Sequence, residues 1–303
     1  MSEPGKFLIL ILGPTASGKT ALSIELANHF KTEIISTDSR QFYKRMDIGT
    51  AKPNQEELAA APHHFIDFLN PEDYYSAGDF ERDAIQLCDK LFKNHDIVIA
   101  TGGSGLFVKA LTDGLDEMPK ADLELRKELE DGYQKNGIGY LQERLLKINP
   151  IKFAEIDQQN PQRLMRAIEM SVQGVELKST KKSRPFTCIK IGLEWDREIL
   201  YNRINLRVDQ MIHAGLVQEA KELYPFKHLN SLQTVGYQEL FEYFDGNCSL
   251  EFAIDKIKQH SRNYAKRQLT WFKRDHEIIW KNPSKTSEIQ HIIENKCINM
   301  KAQ

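Results

Sequence analysis

Residues 13–20 read Gly-Pro-Thr-Ala-Ser-Gly-Lys-Thr, the spacing G-x-x-x-x-G-K-[ST] of a phosphate cradle. Each residue type has a task. Gly13 and Gly18 let the main chain approach an anion with no Cβ in the way. After Pro14, the amides of Thr15, Ala16 and Ser17 and the start of the following helix supply partial positive charge. Lys19 adds a full positive charge, and Thr20 offers a hydroxyl to Mg²⁺. The pattern specifies a phosphate or diphosphate and leaves open which molecule carries it.

Asp38 follows Ile34-Ile35-Ser36-Thr37, at the end of an apolar strand. A carboxylate there faces the phosphate loop, as a general base for an incoming acceptor or as a Mg²⁺ contact. A further strand ends Ile99-Ala100-Thr101-Gly102-Gly103-Ser104-Gly105, with glycines and hydroxyls where a nucleoside-triphosphate hydrolase carries an acid. That composition predicts a narrow passage in which substrate meets backbone. Arg203 and Arg207 stand one turn apart on a predicted helix and are candidate phosphate contacts. His63 and His64 are adjacent, so they point different ways and read as structural residues. Together these residues describe a Mg²⁺-assisted group transferase. They leave open whether it moves a phosphoryl group, as a small-metabolite or nucleoside kinase does, or whatever is attached to a diphosphate.

The elements that position these residues alternate between strand and helix. Strands are predicted at Phe7–Leu12, Glu33–Thr37 and Asp96–Thr101, with helices near Ala21–Phe30 and Gly78–Phe92. This is α/β, a P-loop-type parallel sheet flanked by helices. Gly13, Asp38 and Thr101 fall at carboxyl ends of strands, where such sheets bind ligands. From about 119 to 186 the sequence is helical and charged, broken at 137–139, Asn149-Pro150 and Asn160-Pro161. It reads as a small all-α insertion into a core of 1–118 and 187–303. Thr187–Leu193 returns as a strand, and a helix beginning after Asp196 has an apolar stripe of Ile199, Ile204, Val208 and Ile212. A last long helix, about 249–274, would bury Leu250, Ile254, Ile257, Tyr264 and Trp271, and Glu277–Trp280 is a final edge strand.

The chain of 303 residues carries net charge −2 and 41% hydrophobic residues, enough for a core. Its apolar runs are too short to span a bilayer. Cys88, Cys188, Cys248 and Cys297 have no C-x-x-C spacing, which predicts free thiols in a cytoplasmic protein and no zinc. Bases are segregated. Stretches 178–190 and 256–274 contain Lys and Arg and no acid, a distribution suited to a nucleic-acid groove.

Several segments together resemble the bacterial tRNA dimethylallyltransferase family, also called tRNA isopentenyltransferases. They are 13–20, Ser-Thr-Asp-Ser-Arg-Gln-Phe-Tyr at 36–43, Met-Asp-Ile-Gly-Thr-Ala-Lys-Pro at 46–53, Gly-Gly-Ser-Gly-Leu-Phe at 102–107 and Asn-Pro-Gln-Arg-Leu-Met-Arg-Ala at 160–167. Arg-Ile-Asn-Leu-Arg-Val at 203–208, Thr-Val-Gly-Tyr at 234–237 and Tyr-Ala-Lys-Arg-Gln-Leu-Thr-Trp-Phe at 264–272 complete the series. The resemblance implies transfer of a dimethylallyl group to N6 of adenosine 37, 3′ to the anticodon, in tRNAs reading codons that begin with U. It implies that the cradle, with Arg207, holds dimethylallyl diphosphate together with Mg²⁺ on Thr20, and that Asp38 takes the proton. Ser39, Arg40 and Gln41 would meet the flipped nucleotide, and Ser104 would touch it while serving with Asp38 and Lys19 as a catalytic residue. Arg126, Gln162, Arg163, Leu164, Met165 and Arg166 would hold the tRNA from the insertion, and Lys266 and Arg267 from the last long helix. Ser104 stands where the family usually has Thr, and Phe107 where it usually has Tyr. The expected partner is the tRNA anticodon stem-loop, bound by a monomer with no membrane attachment.

Overall fold

The computed structural model describes residues 5–116, 122–174 and 182–301. The described residues of Met1–Gly114 and Ser183–Gln303 form one compact unit, and those of Leu115–Lys182 a second. The boundary expected at 118/119 falls outside the described residues. The one expected at 186/187 lies at 182/183 instead, because Arg184 is tied to Glu81 and to the carbonyls of Thr112 and Ala110, and Phe186 is buried against Phe92.

The larger unit is built on six parallel strands, β1 (Phe7–Leu12), β2 (Ile34–Ser36), β3 (His63–His64), β4 (Ile97–Gly102), β5 (Thr187–Leu193) and β6 (Ile279–Lys281), in the order β3-β2-β4-β1-β5-β6. Every residue of β1 is buried, as expected of a strand covered on both faces, so its run is apolar without alternation. Leu12 lies in register with Gly102 and Gly192, and Ser36 with Thr101. The ends of β1, β2 and β4 are therefore level. The phosphate loop, Asp38 and the Gly-Gly-Ser turn leave the sheet side by side.

Helices α1 (Lys19–Phe30), α2 (Gln55–Ala60), α3 (Ala77–Leu91) and α4 (Gly105–Thr112) belong to this unit. Both α2 and α3 begin with reciprocal capping boxes, Asn54 with Glu57 and Ser76 with Asp79. The second unit contains α5 (Leu123–Asn136), α6 (Ile138–Ile148), α7 (Pro150–Glu155) and α8 (Pro161–Val172) around Leu129, Leu141, Leu145, Leu164 and Ile168. Its predicted breaks are helix junctions. Gly137 turns at φ +74, and Asn149 and Asn160 cap helices that start on proline. The larger unit resumes with α9 (Arg197–His213), α10 (Leu216–Leu223), α11 (Tyr237–Phe244), α12 (Leu250–Phe272) and α13 (Thr286–Lys301).

Three expectations need correction. Helix α13 follows the helix expected to be last, and it buries Ile289, Ile293 and Cys297 at four-residue spacing. On α9 the buried stripe starts at Leu200, with Ile199 exposed. On α12 it is Ala253, Ile257, Ala265, Gln268 and Phe272, while Trp271 is 41% exposed. Apolarity alone favours Trp271 over Gln268, yet the polar residue is the buried one. His63 and His64 form the edge strand, and His64 Nε2 lies 2.6 Å from Glu33, in keeping with a structural reading. No helix among the described residues is long and apolar enough to cross a membrane.

Candidate active site

A cavity of about 520 Å³ opens at the carboxyl ends of the strands. Residues 15–20 of the phosphate loop line one side of it, and Asp38, Arg40, Gln41, Thr101 and Gly102 another. Arg203 and Arg207 of α9 and Tyr264 and Gln268 of α12 also reach it. Lys19 and Asp38 thus share one cavity.

The loop is held from behind. Trp195 Nε1 donates to Ser17 O at 3.0 Å, and Arg203 Nε donates to Ala16 O at 2.9 Å while stacking over Trp195. Gly13 turns with φ +150, and a Cβ there would press on Leu193 O and Ser17 Oγ, each at 3.0 Å. Ser17 Oγ is buried with no hydrogen-bond partner among the described residues. Lys19 Nζ folds back to Pro14 O at 2.8 Å. Burial pulls the Lys19 ammonium down to about 8; Asp38 opposes that shift and Arg207 adds to it. Burial likewise lowers Arg207, with Asp38 opposing. Lys19, Arg40, Arg203 and Arg207 outnumber the carboxylates Asp38 and Glu57 around this cavity, so the site gains by receiving a polyanion.

Asp38 Oδ1 accepts from Arg40 N at 3.1 Å. Arg40 and Gln41 line the cavity and are also held by the protein's own backbone. The Arg40 guanidinium donates to Asn230 O and Ser231 O at 2.9 and 3.0 Å. Gln41 Nε2 donates to Ala51 O at 3.1 Å, and its Oε1 accepts from Ser36 Oγ at 3.3 Å. Ser104 Oγ accepts from Ser39 N at 3.1 Å and lies 3.2 Å from Ser39 Oγ. The glycines of this turn serve the protein's own packing. A Cβ on Gly102 would collide with Thr37, on Gly103 with Gln268 and on Gly105 with Trp271. The passage expected there is filled at those three points by side chains, although Gly102 still reaches the cavity.

The distinctive stretch 46–53 is pinned to the frame at several points, and its Gly49, Thr50 and Ala51 also line the cavity. Glu219 accepts from the amides of Asp47, Ile48 and Gly49 at 2.8–3.0 Å and from the Tyr237 hydroxyl at 2.7 Å. Lys52 is paired with Asp47 and Asp67 and donates to Tyr43 O.

In the smaller unit, Leu164 and Met165 are 0% and 2% exposed. Bringing either side chain out to RNA would forfeit about 1.5–3 kcal/mol of burial, so their expected role as tRNA contacts is corrected to that of core residues. Gln162 and Arg163 are exposed. Arg126 and Arg166 both grip the fully buried Glu169, at 2.8 and 2.9 Å. A buried carboxylate must be paired, so this clamp occupies guanidinium donors assigned from the sequence to RNA.

The two basic stretches separate in the same way. In 178–190, Lys178 and Lys181 lie outside the described residues, Arg184 is paired with Glu81, and Lys190 is buried between Asp275 and Glu277 at 2.7 and 2.8 Å. Arg184 and Lys190 are therefore internal ion pairs and not open contacts for nucleic acid. In 256–274, Lys266, Arg267 and Arg274 are exposed and have no acidic partner among the described residues. Arg267 lies over the Tyr264 ring, and Lys266 borders a second groove with Trp195, Tyr201 and Trp280. Sequence reasoning assigned no role in the site to Gln268, Tyr264 or Glu219. A polar residue inside an apolar helical stripe was the available signal for Gln268.

Oxygen donors of the kind a hard cation such as Mg²⁺ prefers are present at this cavity. Thr20 and Asp38 line the cavity with Lys19, and no cluster of three His, Cys, Asp or Glu among the described residues forms a separate metal cage.

The level strand ends, the glycine loop and the cationic cavity define a P-loop α/β protein with a lysine and a carboxylate in one cavity. A family model described as IPP transferase matches residues 41–275. The chain is 53% identical over 279 residues to the tRNA dimethylallyltransferase of Christiangramia forsetii, covering 90% of this chain and 92% of that one. It is 50% identical to that of Flavobacterium johnsoniae, covering 96% and 98%. Among solved structures it resembles the full-length tRNA isopentenylpyrophosphate transferase of Bacillus halodurans (TM-score 0.74, 39% identity, 97% and 98% covered). It also resembles a eukaryotic dimethylallyltransferase captured acting on tRNA (TM-score 0.77, 26% identity, 97% of this chain and 80% of that one). The chain belongs to the IPP transferase family.

Proposed function

We propose that this chain transfers a dimethylallyl group from dimethylallyl diphosphate to N6 of the adenosine 3′ to the tRNA anticodon, in the cytoplasm. The observation that carries this reading is the single cavity lined by both Lys19 and Asp38. The C1–O bond to diphosphate breaks and the N6–C1 bond forms. The N6 proton goes to Asp38.

The adenine amine is a poor nucleophile, because its lone pair is delocalised into the ring. Departure of the leaving group therefore needs the most help. Lys19, Arg207 and the loop amides meet the charge that develops on the diphosphate. A Mg²⁺ ion held by Thr20 and the diphosphate oxygens would add further neutralisation of that charge. Asp38 retains lone pairs for the amine, and general-base help of this kind is worth about 10²–10⁴-fold. An extruded base is the form in which adenine could reach Asp38 in this cavity. Exposed Lys266 and Arg267 suit the phosphate backbone of the same RNA.

The test is mass analysis of anticodon fragments after incubation with Mg²⁺ and dimethylallyl diphosphate. One added five-carbon unit on the adenosine 3′ to the anticodon is the expected product. Label passing instead from γ-labelled ATP to a small acceptor would replace this reading with that of a kinase.

A further inference from the structure

We propose that Gln268 is a positioning residue that sets the spacing between the diphosphate cradle and the acceptor segment and so keeps water from the reacting carbon; this rests on the function proposed above. Its carboxamide is buried and makes two bonds in opposite directions. Thr15 N donates to Oε1 at 2.8 Å, and Nε2 donates to Gly103 O at 2.9 Å. A carboxamide supplies both an acceptor and a donor at one position, which neither a carboxylate nor an apolar side chain does.

The bridge is part of a continuous path. Thr15 is held again through its hydroxyl, 3.4 Å from Arg207. Beyond Gly103, Ser104 Oγ takes the amide of Ser39, the residue after Asp38. The phosphate loop is thus joined to the acid-bearing segment by hydrogen bonds that run beside the cavity. Helix α12 is seated against the turn at two further points. Tyr264 lies beside Ser104, and Trp271 packs where Gly105 has no side chain. Tyr264, Gln268 and Trp271 recur at helical spacing, so one face of α12 fixes three consecutive residues of the turn.

Prenyl transfer makes this spacing matter. The reacting carbon and N6 must meet at near-attack distance, whereas water can attack the same carbon from any opening. Hydrolysis breaks the same C1–O bond and forms a bond from water oxygen to C1. It yields dimethylallyl alcohol, diphosphate and a proton.

The experiment measures the ratio of dimethylallyl alcohol to prenylated adenosine in wild type, Gln268→Met and Gln268→Glu. The ratio counts folded molecules only, so partial unfolding does not move it. Gln268→Met loses both bonds, and Gln268→Glu keeps the acceptor for Thr15 and loses the donor to Gly103. The Met variant is expected to raise the ratio at least about tenfold and to lower kcat for transfer by about 10²-fold, with KM for the diphosphate little changed. The Glu variant should fall between, and it carries the test if the Met variant does not fold. A ratio equal to wild type in the folded variants overturns the positioning role and leaves the function standing. A wild-type protein that releases diphosphate from no allylic donor overturns the reaction on which the role rests.

Discussion

Asp38 and Glu219 are two carboxylates of the same unit, and their surroundings give them opposite tasks. Glu219 is used up, with three backbone amides and a tyrosine hydroxyl filling its acceptor positions. Asp38 receives the Arg40 amide and faces a cavity that it shares with Lys19. A satisfied carboxylate pins a loop, whereas an under-used one beside cations can accept a proton from a ligand. The contrast extends to Lys190, enclosed by acids, and Lys19, held in a pocket that lowers its affinity for a proton.

Lys19→Met is the strongest test of this division. Transfer should fall by roughly 10²–10³-fold. The melting temperature should hold or rise, because a cation disfavoured by burial is removed. A clear loss of stability would erase the distinction between site and scaffold. Glu219→Ala should do the reverse. It leaves three amides and a hydroxyl without their acceptor and should cost about 2–3 kcal/mol, read as an earlier denaturant midpoint, with activity lost in step with folding.

A pH series sharpens the Lys19 half. The group sits at about 8 in the folded protein against 10.5 ordinarily, so its charge is present below pH 8 and lost above it. Affinity for inorganic diphosphate should weaken above about pH 8, by at most about tenfold per pH unit, and Lys19→Met should lack that step. Between about 8 and 10.5 the folded state holds fewer protons than the unfolded chain, so this group's contribution to stability rises with pH.

The smallest effect concerns the surface. Neutralising Lys266 and Arg267 should flatten the salt dependence of tRNA binding by roughly one log–log unit for each RNA phosphate that the pair neutralises. An unchanged slope would reduce them to solvated surface.

Much of this was legible before any coordinates. The apolar run 7–12, the glycine spacing at 13–18 and Asp38 at a strand end each follow from local rules, and the sheet register assembles them. What stayed hidden depends on distant partners. The tie between Gln268 and Thr15 spans most of the chain, and the acid that pairs with Arg184 lies in α3. Leu164 and Met165 sit in a segment assigned to tRNA as a block, although helical periodicity sends them inward while Gln162 and Arg163 face out. The two-residue strand β3 is too short for any periodicity to register.

Single-turnover transfer by Asp38→Ala, with tRNA and diphosphate binding measured on the same preparation, tests the central claim most directly. A carboxylate that acts as base predicts both ligands bound within about threefold of wild type and a chemical step slowed by at least about 10²-fold. A chemical step that kept its wild-type rate would contradict it, and Asp38 would then be one more residue of the frame.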